Sequence, residues 1–133
     1  MRVGVIGIGQ AGGRVADLLT YHSLYGMARE SVPFALAINT AQADLRSIKT
    51  IPKENQVLIG ESRVRGHGVG LVRKVATAIA TDALPTIMRE ILRQNLEYID
   101  AFWLIAGLGG GTGSGSTPVI ARRLKELYEQ PVF

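Results

Sequence analysis

Short apolar runs alternate along the chain with longer segments in which apolar residues recur at helical spacing. The runs that predict strands buried on both faces of a sheet cover residues 2–8, 33–39, 55–60 and 99–107. The segments that predict helices cover residues 13–26, 40–48, 71–97 and 117–130, and residues 131–133 predict the start of a fifth strand. Because strand and helix alternate throughout, the pattern predicts an α/β fold, a Rossmann-like three-layer sandwich with a mainly parallel sheet.

Several residues set the expected helix boundaries and faces. Thr40 is expected to cap the second helix. Asp82 is expected to cap the second half of the third helix, because Pro85 must kink or divide that helix. Pro118 suits the first position of the last helix. The positions expected to share the buried face of the first helix are Val15, Leu18, Leu19 and His22.

Length and composition restrict the class of protein. The chain has 133 residues, of which 47% are hydrophobic, so it can form one globular domain with a core. The absence of cysteine excludes disulfides and cysteine-ligated metal, and fits a reducing compartment. No apolar run reaches the roughly 18 residues of a transmembrane segment, so we expect a soluble, cytoplasmic protein. The net charge of +4 is scattered and not interleaved with aromatic residues, so no nucleic-acid partner is expected.

The most unusual stretch is GLGGGTGSGST, residues 107–117, which follows the fourth predicted strand and precedes the last helix. Glycine lets backbone N–H groups converge without obstruction by Cβ atoms, and a helix N-terminus adds the positive end of its dipole. The run therefore predicts a strand-to-helix turn that binds phosphate, rather than a linker. It nearly matches the Walker A pattern, but Ser116 stands where that pattern requires lysine, which disfavours a P-loop NTPase.

A second glycine turn follows the first strand, where Gly7, Gly9 and Gly12 satisfy G-x-G-x-x-G. This spacing leaves open a dinucleotide-binding domain of an oxidoreductase. Such a domain also needs an acid at the end of the second strand to bind ribose hydroxyls. Asn39 ends that strand, and the nearest acid is Asp44, five residues further on.

A third glycine cluster, Gly66, Gly68 and Gly70, follows the third strand. It contains His67, which we expect to be solvated or bonded to the backbone rather than catalytic. Glycine-rich turns after three strands of one parallel sheet lie at the same sheet edge, where ligands of open α/β sheets bind. Together they predict that a chain of phosphates binds across this edge.

These stretches resemble the tubulin/FtsZ superfamily of GTP-binding cytoskeletal proteins. GGGTGSG at residues 109–115 resembles the superfamily signature, and IGQAGGRVAD resembles its first phosphate loop. AINTAQADL resembles the loop after the second strand, and GHGVG at residues 66–70 is similar to the third loop of the archaeal CetZ branch. The resemblance extends over residues 2–133 and points to an archaeal FtsZ/CetZ-like protein.

The resemblance implies a set of residues that bind GTP or GDP. Gln10 would also lie near a magnesium ion, without coordinating it directly, and Thr112 would donate its hydroxyl to the phosphates. No catalytic residue is implied within the chain. The nucleotide-binding residues implied are Gly9, Gln10, Ala11, Gly12, Gly13, Arg14, Asn39, Thr40, Ala41, Gly66, Gly68, Gly70, Gly109, Gly110, Gly111, Thr112, Gly113, Ser114 and Gly115.

The resemblance also implies a function for the intact protein: a GTPase that self-associates into protofilaments and acts in cell division or cell shape. Residues 1–133 would be the N-terminal part of the GTPase domain, a truncated piece that lacks the rest of that domain and a C-terminal domain. Hydrolysis would be completed at a subunit interface by these absent segments. Leu71 to Lys74 depart from the superfamily, whose members usually carry Asn and acidic residues there. This departure leaves open a non-hydrolysing, nucleotide-binding scaffold.

Overall fold

A computed structural model describes all 133 residues as a parallel sheet of four strands with helices on both faces. The strands, in the spatial order β3-β2-β1-β4, are β1 (Val3–Ile8), β2 (Phe34–Asn39), β3 (Gln56–Leu58) and β4 (Ala101–Ala106). The helices are α1 (Gly9–Tyr25), α2 (Gln42–Arg46), α3 (Glu61–Val64), α4 (Arg73–Leu92) and α5 (Gly111–Leu127). The predicted α/β class and parallel sheet are confirmed.

The two faces of the sheet carry side chains of different size. Successive residues of a strand point to opposite faces. One face presents large residues such as Ile6, Leu36 and Phe102, which form one buried cluster with α4 and α5. The other face presents small residues such as Ala35 and Ala37, which cluster with residues of α1 and α2. The core is therefore divided by the sheet into a bulky layer and a thin layer.

The thin layer brings the backbone of α1 directly against the sheet. A Cβ atom added at Gly7 would collide with the carbonyl oxygen of Gly12, and one added at Gly12 would collide with the carbonyl oxygen of Ile105. The buried residues of α1 are accordingly small, namely Gly9, Gly12, Gly13, Ala16, Thr20 and Ser23. The predicted buried face of α1 was wrong, since Leu19 is partly buried but Val15, Leu18 and His22 are exposed.

Three predicted helix boundaries were also wrong. Pro85 lies on an exposed position inside α4, which continues through it, and Asp82 forms an ion pair with Arg63 at 2.8 Å instead of capping a second helix. The hydroxyl of Thr40 does not cap α2. Helix α5 begins at Gly111, inside the glycine run, so Pro118 is an interior residue rather than the first.

The outer edge of β4 is partly paired. The backbone N–H of Phe102 donates to Pro131 O at 2.8 Å, and that of Leu104 donates to Phe133 O at 2.7 Å. Val132 forms a parallel bridge with Phe102, as expected for the predicted fifth strand. Since all the strands are parallel, their carboxyl ends lie at one edge of the sheet, and each of the glycine-rich turns follows at that edge. None of the helices is both long and apolar enough to cross a membrane.

Candidate functional site

A cavity of about 380 Å³ lies at the carboxyl edge of the sheet. It is lined by the starts of α1 and α5, the loop after β2 and the segment between α3 and α4. The lining residues are Ile8, Gly9, Gln10, Ala11, Asn39, Ala41, Asp44, His67, Gly68, Gly70, Leu71, Gly107, Gly110, Gly111, Thr112 and Gly113. The glycine-rich turns after β1, β3 and β4 therefore open into one shared cavity.

The N-termini of α1 and α5 meet in this cavity. Gly9 has a φ of +76°, and a Cβ atom there would lie 3.2 Å from the amide nitrogen of Gly113. The first N–H groups of a helix have no acceptor within the helix, and the dipole makes this end positive. Two such ends side by side form a site for an extended anion, built from main-chain donors.

The loop after β2 is fixed by a chain of side-chain hydrogen bonds. Asn39 Oδ1 accepts from the backbone N–H groups of Thr40 at 2.8 Å and Ala41 at 3.1 Å. The Asp44 carboxylate accepts from Asn39 Nδ2 at 3.3 Å and from Gln10 Nε2 at 3.2 Å. Because a carboxylate can only accept, both amides present their NH₂ groups to Asp44, which leaves the carbonyl oxygen of Gln10 free for other partners.

The segment between α3 and α4 is joined by its backbone to the other loops. Gly68 N donates to Thr40 O at 3.2 Å, and Gly111 N donates to Gly70 O at 3.0 Å. His67 forms an antiparallel bridge with Ala41. Gly68 has a φ of +85°, a conformation that favours glycine. This segment thus connects the loop after β2 with the start of α5.

A pair of hydroxyls forms a further link beneath the cavity. Thr40 is fully buried, and its Oγ1 lies 2.8 Å from Oγ1 of Thr112, with either atom able to donate. Thr112 is the second residue of α5 and lines the cavity, whereas Thr40 does not.

Side-chain charge contributes little positive potential to the cavity. No lysine or arginine lines it, and the ionisable residues that do are Asp44 and His67. Arg14, Arg73 and Lys74 are exposed and lie outside the lining. No group of three or more His, Cys, Asp or Glu residues could hold a metal ion. A magnesium ion would therefore have to be held largely by waters and ligand phosphates, with Asp44 and Gln10 offering oxygen atoms.

The structure separates the predicted residues into those that line the cavity and those that support it. Eleven of them line it: Gly9, Gln10, Ala11, Asn39, Ala41, Gly68, Gly70, Gly110, Gly111, Thr112 and Gly113. Gly12 and Gly115 instead pack against the backbone of β4 and α4, and Thr40 lies below Thr112. The other predicted residues outside the lining are Gly13, Arg14, Gly66, Gly109 and Ser114.

Five lining residues were not predicted as ligand contacts: Ile8, Asp44, His67, Leu71 and Gly107. Each of these residues is adjacent to a predicted loop or within it, so the positions of the loops in the sequence could have identified them. In the sequence, Asp44 is only the nearest acid to the end of the second strand, five residues beyond Asn39, and its bonds to two amides from other elements are visible only in three dimensions.

An open parallel sheet with a cavity among glycine-rich turns at its carboxyl edge places the chain in the class of α/β domains whose ligand sites lie at that edge. The sequence matches the family described as Tubulin/FtsZ family, GTPase domain, over residues 2–133, and the chain therefore belongs to that family. It is 44% identical to the tubulin-like protein CetZ3 of Haloferax volcanii, in an alignment that covers 100% of this chain and 34% of CetZ3.

Solved structures of relatives share the fold. The GDP-bound monomer of CetZ1 from Haloferax volcanii matches with a TM-score of 0.96 and 43% identity, over 99% of this chain and 40% of that one. The GTPγS-bound protofilament of CetZ2 from the same organism matches with a TM-score of 0.89 and 38% identity, over 99% of this chain and 38% of that one. The chain thus spans about a third of the length of the curated relatives it matches.

Proposed function

We propose that residues 1–133 form the N-terminal, phosphate-binding part of the GTPase domain of a polymerising cytoskeletal GTPase. One observation carries this proposal: the N-termini of α1 and α5 and two loops converge on one cavity whose donors are main-chain N–H groups. Two structural relatives, the GDP-bound monomer of CetZ1 and the GTPγS-bound protofilament of CetZ2, support guanine nucleotide as the ligand and self-association as the mode of action.

In this proposal the phosphates lie across the two helix N-termini. The N–H groups of the 9–11 turn and those of Thr112 and Gly113 donate to the phosphate oxygens, and Thr112 adds its hydroxyl. Asp44 and the carbonyl oxygen of Gln10 would accept hydrogen bonds from the waters of a bound Mg²⁺, which would supply positive charge to offset the phosphates. The remaining predicted contacts in the lining form further parts of the cavity wall: Asn39, Ala41, Gly68 and Gly70.

Hydrolysis and assembly belong to the longer protein. The cavity has one carboxylate, Asp44, which already accepts hydrogen bonds from two amides, so we do not assign it as the group that activates water. We place the water-activating groups in further segments of a neighbouring subunit. We also propose that the whole protein is a cytoplasmic protein of an archaeon and that it acts in cell division or cell shape. A non-hydrolysing scaffold is the second candidate, because Leu71 brings an apolar side chain to the cavity wall.

Calorimetric titration tests the binding part of this proposal. We expect GTP and GDP to bind, GMP to bind at least tenfold more weakly because the phosphate chain is shortened, and NADH not to compete. A Cβ atom at Gly111 would lie 2.5 Å from Gly70 O, so Gly111→Ala should weaken binding of GDP by about tenfold. Gly109 has nothing within 4 Å of such an atom, so Gly109→Ala is the matched control. Equal affinity for GMP and GDP would contradict the phosphate-binding role.

Light scattering of the intact protein separates the two candidates. A polymerising GTPase should assemble with GTP and with GTPγS, and should disassemble as GTP is consumed. Assembly that is the same with and without nucleotide would favour the scaffold.

A further inference from the structure

We propose that Thr40 is a positioning residue for the ligand, and that it acts only through the hydroxyl of Thr112. The inference rests on the proposed function, namely that the cavity binds phosphates. Thr40 is fully buried and is not part of the cavity wall, so it cannot touch the ligand itself. Its side chain has one hydrogen-bond partner, the Thr112 hydroxyl at 2.8 Å.

The backbone of Thr40 is held from both sides. Its N–H donates to Asn39 Oδ1 at 2.8 Å, and its carbonyl oxygen accepts from Gly68 N at 3.2 Å. A β-branched side chain on a fixed backbone has few rotamers, so the position of the Thr40 hydroxyl is set by the protein and not by the ligand. Thr112, in contrast, is at the start of a helix and 8% exposed to the cavity.

Proton counting then fixes the direction of the bond in the bound state. Each hydroxyl has one hydrogen to donate, and phosphate oxygens can only accept. When Thr112 donates its hydrogen to a phosphate, the hydrogen between the two hydroxyls must come from Thr40. A hydroxyl that accepts one hydrogen bond donates a stronger one, and the Thr40 bond also fixes the torsion that aims Thr112 at the cavity. Without ligand, either hydroxyl can donate.

Binding of GDP to variants of the intact protein tests the inference. Thr40→Val replaces the hydroxyl by a methyl group of similar size. It should weaken GDP binding about threefold to tenfold, because it removes the hydrogen bond from Thr40 to the Thr112 hydroxyl that donates to the phosphate. Thr40→Ser keeps the hydroxyl and should restore affinity to within about twofold of the unaltered protein. If Thr40→Val does not fold, as judged by circular dichroism, Thr40→Ala carries the same expectation.

A matched control and a double variant distinguish this role from a structural one. Thr20 is also buried, and its hydroxyl donates to Ala16 O at 2.8 Å within α1, away from the cavity lining. Thr20→Val should therefore lower stability without changing GDP affinity. On a Thr112→Val background, Thr40→Val should have no further effect on affinity, because the residue through which it acts is gone.

Each outcome has a separate meaning. If Thr112→Val weakens binding but Thr40→Val does not, or if the two losses multiply in the double variant, the inference is overturned while the proposed function stands. If Thr40→Ser binds as weakly as Thr40→Val, the hydroxyl is not the cause and the inference is also overturned. If the unaltered protein binds neither GDP nor GTP, the proposed function fails and the inference fails with it.

Discussion

Gly12 and Gly13 are neighbours in α1, but only Gly12 is required by packing. A Cβ atom at Gly12 would run into the carbonyl oxygen of Ile105, whereas one at Gly13 would meet only Ile48 Cδ1, at an ordinary 3.5 Å. A backbone oxygen in a strand cannot move aside as a side chain can. At the residue scale, therefore, the glycine motif contains one position set by the contact between helix and sheet and one that is not.

Substitution of these two glycines by alanine should give opposite results. Gly12→Ala should lower the free energy of unfolding by about 3 kcal/mol through overpacking. Gly13→Ala should change it by less than about 1 kcal/mol, and in the stabilising direction, because alanine is the better helix former. Urea denaturation of both variants measures the difference. Equal losses would mean that the contact between α1 and β4 is looser than the structure has it.

The sequence could not predict which glycines have no room for a Cβ atom. The spacing of Gly7, Gly9 and Gly12 predicted the turn. The motif does not distinguish a glycine that contacts a ligand from one that packs against a strand. The distinction depends on Ile105, almost a hundred residues further along the chain. The sequence therefore located the loops of the site but could not assign a task to each residue within them.

Helix α1 shows why apolar periodicity failed at the scale of an element. The prediction assumed that the helix would bury its largest apolar residues. The sheet face beneath it includes the small residues Ala35 and Ala37, and the helix lies close against it. The helix therefore buries glycine, alanine, Thr20 and Ser23 instead, and leaves Leu18 56% exposed. All four strands were predicted near their observed positions, because continuous apolar runs do not depend on which partner covers them, although β3 has only three residues and is half the predicted length.

The same helix anchors the segment before β3. The carboxylate of Asp17 accepts from the backbone N–H groups of Lys49 at 3.1 Å, Thr50 at 2.7 Å and Ile51 at 2.8 Å. These three main-chain donors have no partner in the sheet, and the one carboxylate accepts from all of them. One side chain of α1 thereby holds the connection between α2 and β3.

Removal of this carboxylate should destabilise the protein. We expect Asp17→Ala to lower the free energy of unfolding by about 2 kcal/mol, because three hydrogen bonds to a charged acceptor are lost, two of them part-buried. Asp82→Ala is the control: Asp82 pairs with Arg63 in an exposed ion pair, whose loss should cost less than about 1 kcal/mol. Thermal unfolding followed by circular dichroism compares the two. A smaller loss for Asp17→Ala than for Asp82→Ala would contradict the anchoring role.

For the whole molecule, the order of elements predicted both the fold and the edge of the sheet where the cavity lies. The hydrogen bonds that close the cavity could not be predicted from the sequence, because they join residues far apart along the chain, such as Thr40 to Thr112 and Gly70 to Gly111. These bonds connect separate loops into one enclosure. A ligand in the cavity would contact all of these loops at once.

Bound nucleotide should therefore stabilise the whole domain. With GDP at about 100 times its dissociation constant, the free energy of unfolding should rise by about 2.7 kcal/mol, seen as a higher urea midpoint. Amide hydrogen exchange should slow in residues 66–70 and 107–113 together, because the same ligand bridges both segments. Protection confined to one of the two would indicate that the phosphates do not span the cavity.

The lack of lysine and arginine in the cavity wall has a consequence for how the site can be altered. Main-chain amides carry no side-chain charge that a point mutation could reverse or that acetylation could remove. Mutations in this wall therefore act mainly by changing its shape, through the small residues that hold the loops together. Loss of function in such a site should come from added bulk far more often than from altered charge.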